Sequence, residues 1–384
     1  MSASHDELVD RARQLAPAIA ARATLTEAQR HPHDDTIAEL IDAELLSILV
    51  PKRWGGHELS IHTHREVTEI ISVACLSTGW NFAFYSGHNW MAVKYPERAQ
   101  EELFADKGYA LVPVTTAPTL TVEPVEGGMM ISGRVSWGSG IVHADWACIG
   151  GATPDGTRYQ FLVRAEDTTI IDTWHMAAMA GTGSHDFELR DVFVPEHRVL
   201  LGTEFRNGDT PGARLHANPQ YRMPVLPFIY CETMGIFSGG IRGAVAAFEE
   251  IVRGRVRTHS GAALADNRYM HIKLGEAAAA AEVTQRLVTD LTQEAIDLAD
   301  GDGFTLEERL RLKARAGFIV DLCRRAVNDM IHHAGSSNFA TEAPLQRFFR
   351  DFNMLATHAF YEWDTGRELL GRHRLGLEPN HPLV

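Results

Sequence analysis

Apolar residues in the first quarter of the chain recur every three to four positions. In DDTIAELIDAELLSILV, Ile37, Leu40, Ile41, Leu45 and Ile48 share one stripe, and this spacing predicts helices from Asp6 to about Glu102. VPKRWGGHELS interrupts them with a proline, two glycines and a tryptophan, which predicts a loop. A helix is expected next from about His64 to Ala74; the aromatic-rich STGWNFAFYSGHNWMAVKYPE then leads to a short helix beginning near Pro96. Around Gly108 the period changes to two, Thr, Val and Gly become frequent, and EGG and PDG mark turns, so an antiparallel β region is predicted to about Arg214. After the proline-rich NPQYRMPVLPF, helical spacing returns and persists to about Gly371. The alanines of KLGEAAAAAEVTQRLVTDLTQEAIDLA permit close helix packing there. The pattern divides the chain into a helical domain over 1–110, a β domain over 111–214 and a helical bundle over 215–384, with no internal repeat.

Composition narrows the function more than the fold. The 384 residues, 45% hydrophobic and 22% charged, suffice for a large core in two or three layers or domains. A formal net charge of -14 with scattered Lys and Arg argues against a nucleic-acid partner. No signal-peptide pattern and no bilayer-length apolar run is present, so no membrane association is expected. The four cysteines, Cys75, Cys148, Cys231 and Cys323, lie far apart without a C-x-x-C pair, which points to reduced thiols and a cytoplasmic protein. His31/His33 and His62/His64 fall in expected loops or helix starts and there is no H-E-x-x-H, so no metal site is predicted. Without a G-x-G-x-x-G opening a βαβ unit, direct NADH binding is not expected either.

Three segments carry the chemistry: ISGRVSWGSGIVHADW, WHMAAMAGTGSHDFELRDVFVPEHRV, and APLQRFFRDFNMLATHAFYEWDTG, read as one helix. Together they resemble the acyl-CoA dehydrogenase superfamily over nearly the whole chain. That resemblance implies a mainly α fold with a central β domain: an N-terminal helical domain, a β-barrel-like middle domain and a C-terminal four-helix bundle, assembled as a homotetramer. The flavin would lie between the β domain and the bundle. Trp137, Ser139 and Gly140 of WGSG and Thr182, Gly183 and Ser184 of GTGS would form its wall. Glycines suit such a wall by allowing close backbone approach, and the hydroxyls and amides can satisfy ring or phosphate acceptors. Arg257 in VRGRVRTHS would meet flavin phosphate across a subunit boundary, although RTHSG departs from the family's Arg-x-x-Phe-Gly. Arg255 and Arg257 read equally as solvated helix-end charges.

An acyl-CoA dehydrogenase needs a glutamate as base, which many family members carry shortly after the Arg-Asp pair. Here Arg350 and Asp351 are followed by FNMLATHAF, which offers His358; Glu362 is expected one helical turn beyond it. A histidine at that point together with SWGSG resembles the flavin-dependent monooxygenase branch, the oxygenase components of two-component aromatic hydroxylases. The resemblance implies reduced FMN or FAD delivered by a separate flavin reductase, dioxygen, and a C4a-hydroperoxyflavin that hydroxylates a phenolic or fused-ring aromatic substrate. Ser139 would bond flavin N5, His358 would stand beside the peroxide, and His88 would contact the acceptor and deprotonate a phenol. Tyr85, Asn89 and Trp90, with Phe82 and Phe84, would line the substrate cavity. The residues themselves also allow a strand-end Ser139 bonded to its own backbone, core histidines and a core aromatic stripe. The competing functions are an acyl-CoA dehydrogenase-type FAD oxidoreductase with a relocated base, an N- or S-oxygenase of the same branch, and a flavin-free scaffold.

Overall fold

The structure, a computed structural model, describes residues 2–256, 261–379 and 381. Ser4 starts the first helix, accepting the Glu7 amide while Glu7 reaches back to the Ser4 amide. The N-terminal helices are α1 (His5–Gln29), α2 (Asp34–Asp42), α3 (Ile61–Ala74), α4 (Leu76–Ala92) and α5 (Glu97–Phe104). Helix α3 begins three residues before the expected His64 because Ser60 caps it through the His62 amide. Cys75, in extended conformation, separates α3 from α4. The aromatic-rich segment forms α4, which is buried on nearly every side.

The central sheet contains β1 (Val114–Val125), β2 (Gly128–Val135), β3 (Trp146–Ala152), β4 (Arg158–Arg164), β5 (Thr169–Ile171), β6 (Asp186–Pro195) and β7 (Val199–Leu201). Its order is β5-β6-β2-β1-β3-β4-β7. The expectation of an antiparallel region is corrected at one pair: β1 and β3 run parallel, with Val114 opposite Cys148. After the β1–β2 hairpin the chain crosses through 136–145 to the other side of β1, and a strand reached by such a crossover runs in the same direction. That crossover carries the WGSG motif. One sheet face covers a separate apolar core that includes Leu120, Ile131, Ile149, Phe161 and Phe187.

Helix α6 (Gly202–Asn207) leads to the C-terminal helices α7 (Val225–Gly254), α8 (Arg268–Asp300), α9 (Leu306–Ala334), α10 (Pro344–Leu355) and α11 (Trp363–Arg374). The central helix is α7, packed on α3, α8 and α9. The segment read as one C-terminal helix is two. Beyond Leu355 the amides of Thr357 and His358 bond three residues back, at 3.0 and 3.1 Å, and the Thr357 hydroxyl donates to Met354 O at 2.7 Å. These tighter bonds end α10 and place His358 in a turn. Glu362 thereby sits at the start of α11, its carboxylate accepting from Thr365. All four cysteines are free and buried. Among the described residues no helix is long and apolar enough to cross a membrane.

Candidate functional site

The crossover loop meets the GTGS turn through side-chain hydroxyls. Trp80 Nε1 donates to Ser139 Oγ at 3.1 Å, Ser139 Oγ and Ser184 Oγ are 2.7 Å apart, and Ser184 Oγ lies 2.7 Å from Thr182 Oγ1. Thr182 ends the chain by donating to Met179 O at 2.9 Å. Its own carbonyl accepts from Asn81 Nδ2 at 3.1 Å and from the Gly140 amide at 3.3 Å. Thr182 and Ser184 are buried and hold the wall together; Ser139 stands at its half-buried end. The Ser139 hydroxyl thus bonds other segments, not its own backbone. Gly140 (φ 83°) needs its missing side chain, because a Cβ there would come within 2.7 Å of the Tyr85 ring. Gly183 also has a left-handed backbone, φ 56°. Trp137 adopts the same region at φ 66° and leaves 58% of its surface exposed beside the edge of Trp174.

The Arg-Asp pair of α10 clamps this wall from the bundle side. The Met179 amide donates to Asp351 at 2.5 Å, Arg350 donates to Ala177 O and pairs with Glu27, and Arg347 bonds Glu27 at 2.9 Å. Burial pushes the Asp351 carboxyl up to about 7 against the opposing pull of that amide and Arg350. The chain leaving α10 then brings His358 against Trp80, ring centres 5.7 Å apart and edge to face. Its other face stacks near Tyr361 at 5.1 Å. Nδ1 accepts the Phe360 amide at 3.3 Å, which leaves the ring proton on Nε2. The imidazole is half-buried, and desolvation pushes it down to about 4, so it is neutral at pH 7.

Along α4, residues four apart extend the site. Trp80 packs on Phe84 at 4.7 Å and Phe84 stacks on His88 at 4.6 Å, giving a continuous run of rings from His358 to His88. His88 Nδ1 donates to Val112 O at 2.6 Å, so Nε2 carries the lone pair; burial pushes this imidazole down to about 3. Nε2 faces Glu232 Oε1 across 3.8 Å, longer than a hydrogen bond.

The residues expected to line a cavity with His88 are each held by contacts of their own. Asn89 donates to Leu46 O and Tyr85 O and accepts the Ala110 amide; Trp90 donates to Gln220 O and stacks on Phe228. Tyr85 donates to Gly140 O and supports the wall. Phe82 turns to His64 instead. At one or two positions round the helix from the 80–84–88 line, these residues share its burial but not its contacts. Arg257 lies outside the described residues, while Arg255 caps the end of α9 through Ala334 O. His31 and Asp34, three residues apart, and the sequence-remote His143 bring ligand atoms within 4.8 Å of one another behind Gly183, a grouping the sequence did not suggest. Asp351 as a clamp and Glu232 as the partner facing His88 were also missed. The available signal for Glu232 was an acid inside the apolar run VLPFIYCETMGIF.

Residues 2–104 match the acyl-CoA dehydrogenase N-terminal domain and 236–363 match the acyl-CoA dehydrogenase C-terminal domain. A pigment production hydroxylase of Rhodococcus sp. is 39% identical, with all of both chains covered. The oxygenase component of the FADH(2)-dependent resorcinol hydroxylase of Rhizobium sp. is 32% identical over 98% of this chain and 95% of that protein. The solved structure of XiaF from Streptomyces sp. in complex with FADH2 and glycerol superposes with a TM-score of 0.89 at 31% identity, over 98% of this chain and 97% of that one.

Proposed function

Because the chain belongs to the flavin-dependent hydroxylase branch of the acyl-CoA dehydrogenase superfamily, we propose that it is the oxygenase component of a two-component enzyme hydroxylating a phenolic or fused-ring aromatic compound. It takes reduced FMN or FAD from a separate reductase and works as a homotetramer in the cytoplasm. The observation that carries this reading is the meeting of Ser139 and His358 on Trp80, which joins the β domain, the bundle and α4 at one indole. A flavin fits this set: an exposed indole at Trp137, a half-buried hydroxyl at Ser139 and a neutral imidazole N–H at His358 suit a flat ring with a polar edge.

When bound, reduced flavin supplies the electrons that activate dioxygen, so that one oxygen atom enters the aromatic ring and the other leaves as water. The protein's part is to hold protons at stated atoms. Ser139 Oγ accepts from Trp80 Nε1, leaving its own proton to rotate toward Ser184 or toward a ligand. His358 Nε2–H offers a hydrogen bond from a ring too weakly basic to charge at neutral pH. His88 Nε2 offers a lone pair to the acceptor's hydroxyl. The ring contacts of Trp80, Phe84 and His88 line the path between them with apolar surface.

The test supplies chemically reduced FMN or FAD and dioxygen with a panel of phenols: resorcinol, 1-naphthol and 4-hydroxyphenylacetate. Hydroxylated product and hydrogen peroxide are measured per flavin oxidised. Product from at least one phenol is expected. Reduction of an artificial electron acceptor by an acyl-CoA, with no product from any phenol, would return the chain to the dehydrogenase reading.

A further inference from the structure

Helix α7 carries a carboxyl to which no role has been given. Glu232 is fully buried, and neither carboxyl oxygen has a hydrogen-bond partner. Buried polar atoms are nearly always paired, so an orphaned carboxyl marks a place where a ligand or a proton transfer uses it. It presses against α4 so closely that a Cβ on Gly87 would lie 2.1 Å from Oε1, and the same oxygen faces His88 Nε2 at 3.8 Å. The other titratable groups that act on these two are His64 from α3, Cys231 on α7 and Tyr361 from the turn before α11, with Tyr230 and Glu294 next to Tyr361 and Cys231. None of these is a cation at neutral pH, so no counter-charge competes for the carboxyl.

We propose that Glu232 and His88 act as one proton-accepting pair for the acceptor's phenolic hydroxyl, with Glu232 as the positioning and charge-balancing residue. This rests on His88 being the acceptor's contact. A lone imidazole pushed down to about 3 is a poor base for a phenol, whose ordinary value is about 10. A carboxylate opposite Nε2 removes the obstacle, because charge arising on the ring is cancelled as it forms. The phenol O–H bond breaks with its electron pair remaining on oxygen, the proton joins the Nε2 lone pair, and it then passes to a Glu232 oxygen. The end state is a phenolate, a neutral imidazole still donating from Nδ1 to Val112 O, and a neutral carboxylic acid. Closing the 3.8 Å gap to hydrogen-bond distance requires a movement of about 1 Å. Burial raises the Glu232 carboxyl above the ordinary carboxylate range, so the pair becomes competent as pH rises and the carboxyl ionises.

Flavin-free protein tests the pair directly. The tightest-binding phenol of the panel is titrated with pH, and its ultraviolet difference spectrum distinguishes bound phenol from bound phenolate. In the wild type, phenolate is expected at a pH at least about one unit below that of the free phenol, a tenfold shift in its ionisation. Glu232→Gln should return the onset to that of the free phenol. Should this variant not fold, Glu232→Asp, which withdraws the carboxylate by one methylene, should move the onset in the same direction. An onset unchanged in the variant, or no shift in the wild type, overturns the proposal. Product from reduced flavin and dioxygen is scored in parallel. A wild type that binds phenolate but makes no product retains the pair and loses the oxygenase reading; product with an onset unmoved by the variant does the reverse.

Discussion

Ser139 takes its place from Trp80 and Ser184, so its hydroxyl is oriented by groups on α4 and on the GTGS turn. Removing either end of that arrangement has a calculable scale. Trp80→Phe keeps a ring beside His358 but deletes the indole donor, and Ser139→Ala deletes the acceptor. Trp80→Phe removes a hydrogen bond worth about 1 kcal/mol, so product per flavin should fall about fivefold with a matching rise in hydrogen peroxide, and Ser139→Ala, which also loses the bond to Ser184, should fall at least as far. The double variant should be little worse than Ser139→Ala, because the bond that Trp80→Phe removes is already lost with the Ser139 hydroxyl. His358→Ala should shift the same ratio toward peroxide, while His88→Ala should lower hydroxylation by about 10²–10⁴-fold and leave the rate of flavin oxidation unaltered. Equal losses in both measurements for all four variants would mean that they damage the fold and not the chemistry. Ser139, His358 and His88 were legible as residue types in recognisable segments. Their partners were not, since no spacing rule relates position 80 to 139 or 88 to 232.

Helix α10 has two tasks: its Arg-Asp pair fixes loop 176–183, and its early end releases His358 into a turn. The clamp has a pH signature. Asp351 is pushed up from 3.8 to about 7, so the folded chain keeps a proton that the unfolded chain gives up. Its contribution to stability therefore falls as pH rises from about 4 to about 7. Asp351→Asn, which retains an acceptor for the Met179 amide and cannot ionise, should flatten that fall in chemical-denaturation curves. Asp351→Ala should cost about 1–3 kcal/mol near pH 4 by orphaning the buried amide, and progressively less as pH rises toward 7, because alanine cannot ionise either. The sequence period identified the helical and β stretches but not these ends. The Ser60 cap started α3 early, three-residue hydrogen bonding stopped α10, and a crossover made the β1–β3 pair parallel. Each depends on one or two local bonds or on a route through space, and neither alters the periodicity of neighbouring residues.

At the scale of the molecule, the exposed Trp137 and the Ser139–Trp80–His358 meeting point lie where the β domain meets the bundle, and they are the surface proposed to bind flavin. A ligand held by both raises the stability of the folded chain by mass action. Reduced FMN or FAD at about a hundredfold over its Kd should add about 2.7 kcal/mol, read as a rise in Tm under anaerobic conditions. The flavin giving the larger rise at equal concentration is the preferred one; no rise with either would remove the flavin site. Apolar period and turn residues by themselves determined the helical, β, helical order, because each segment must bury one face whatever its neighbours are. The motif segments likewise determined the family and the kind of chemistry. Only the tertiary structure decided which groups meet: Trp80 as the common support of Ser139 and His358, Asn89 bonded to Leu46 and Tyr85, Trp90 on Phe228, and Glu232 opposite His88. Such pairings arise where helices from distant parts of the chain cross, and burial there sets the proton affinities that a one-dimensional pattern does not contain.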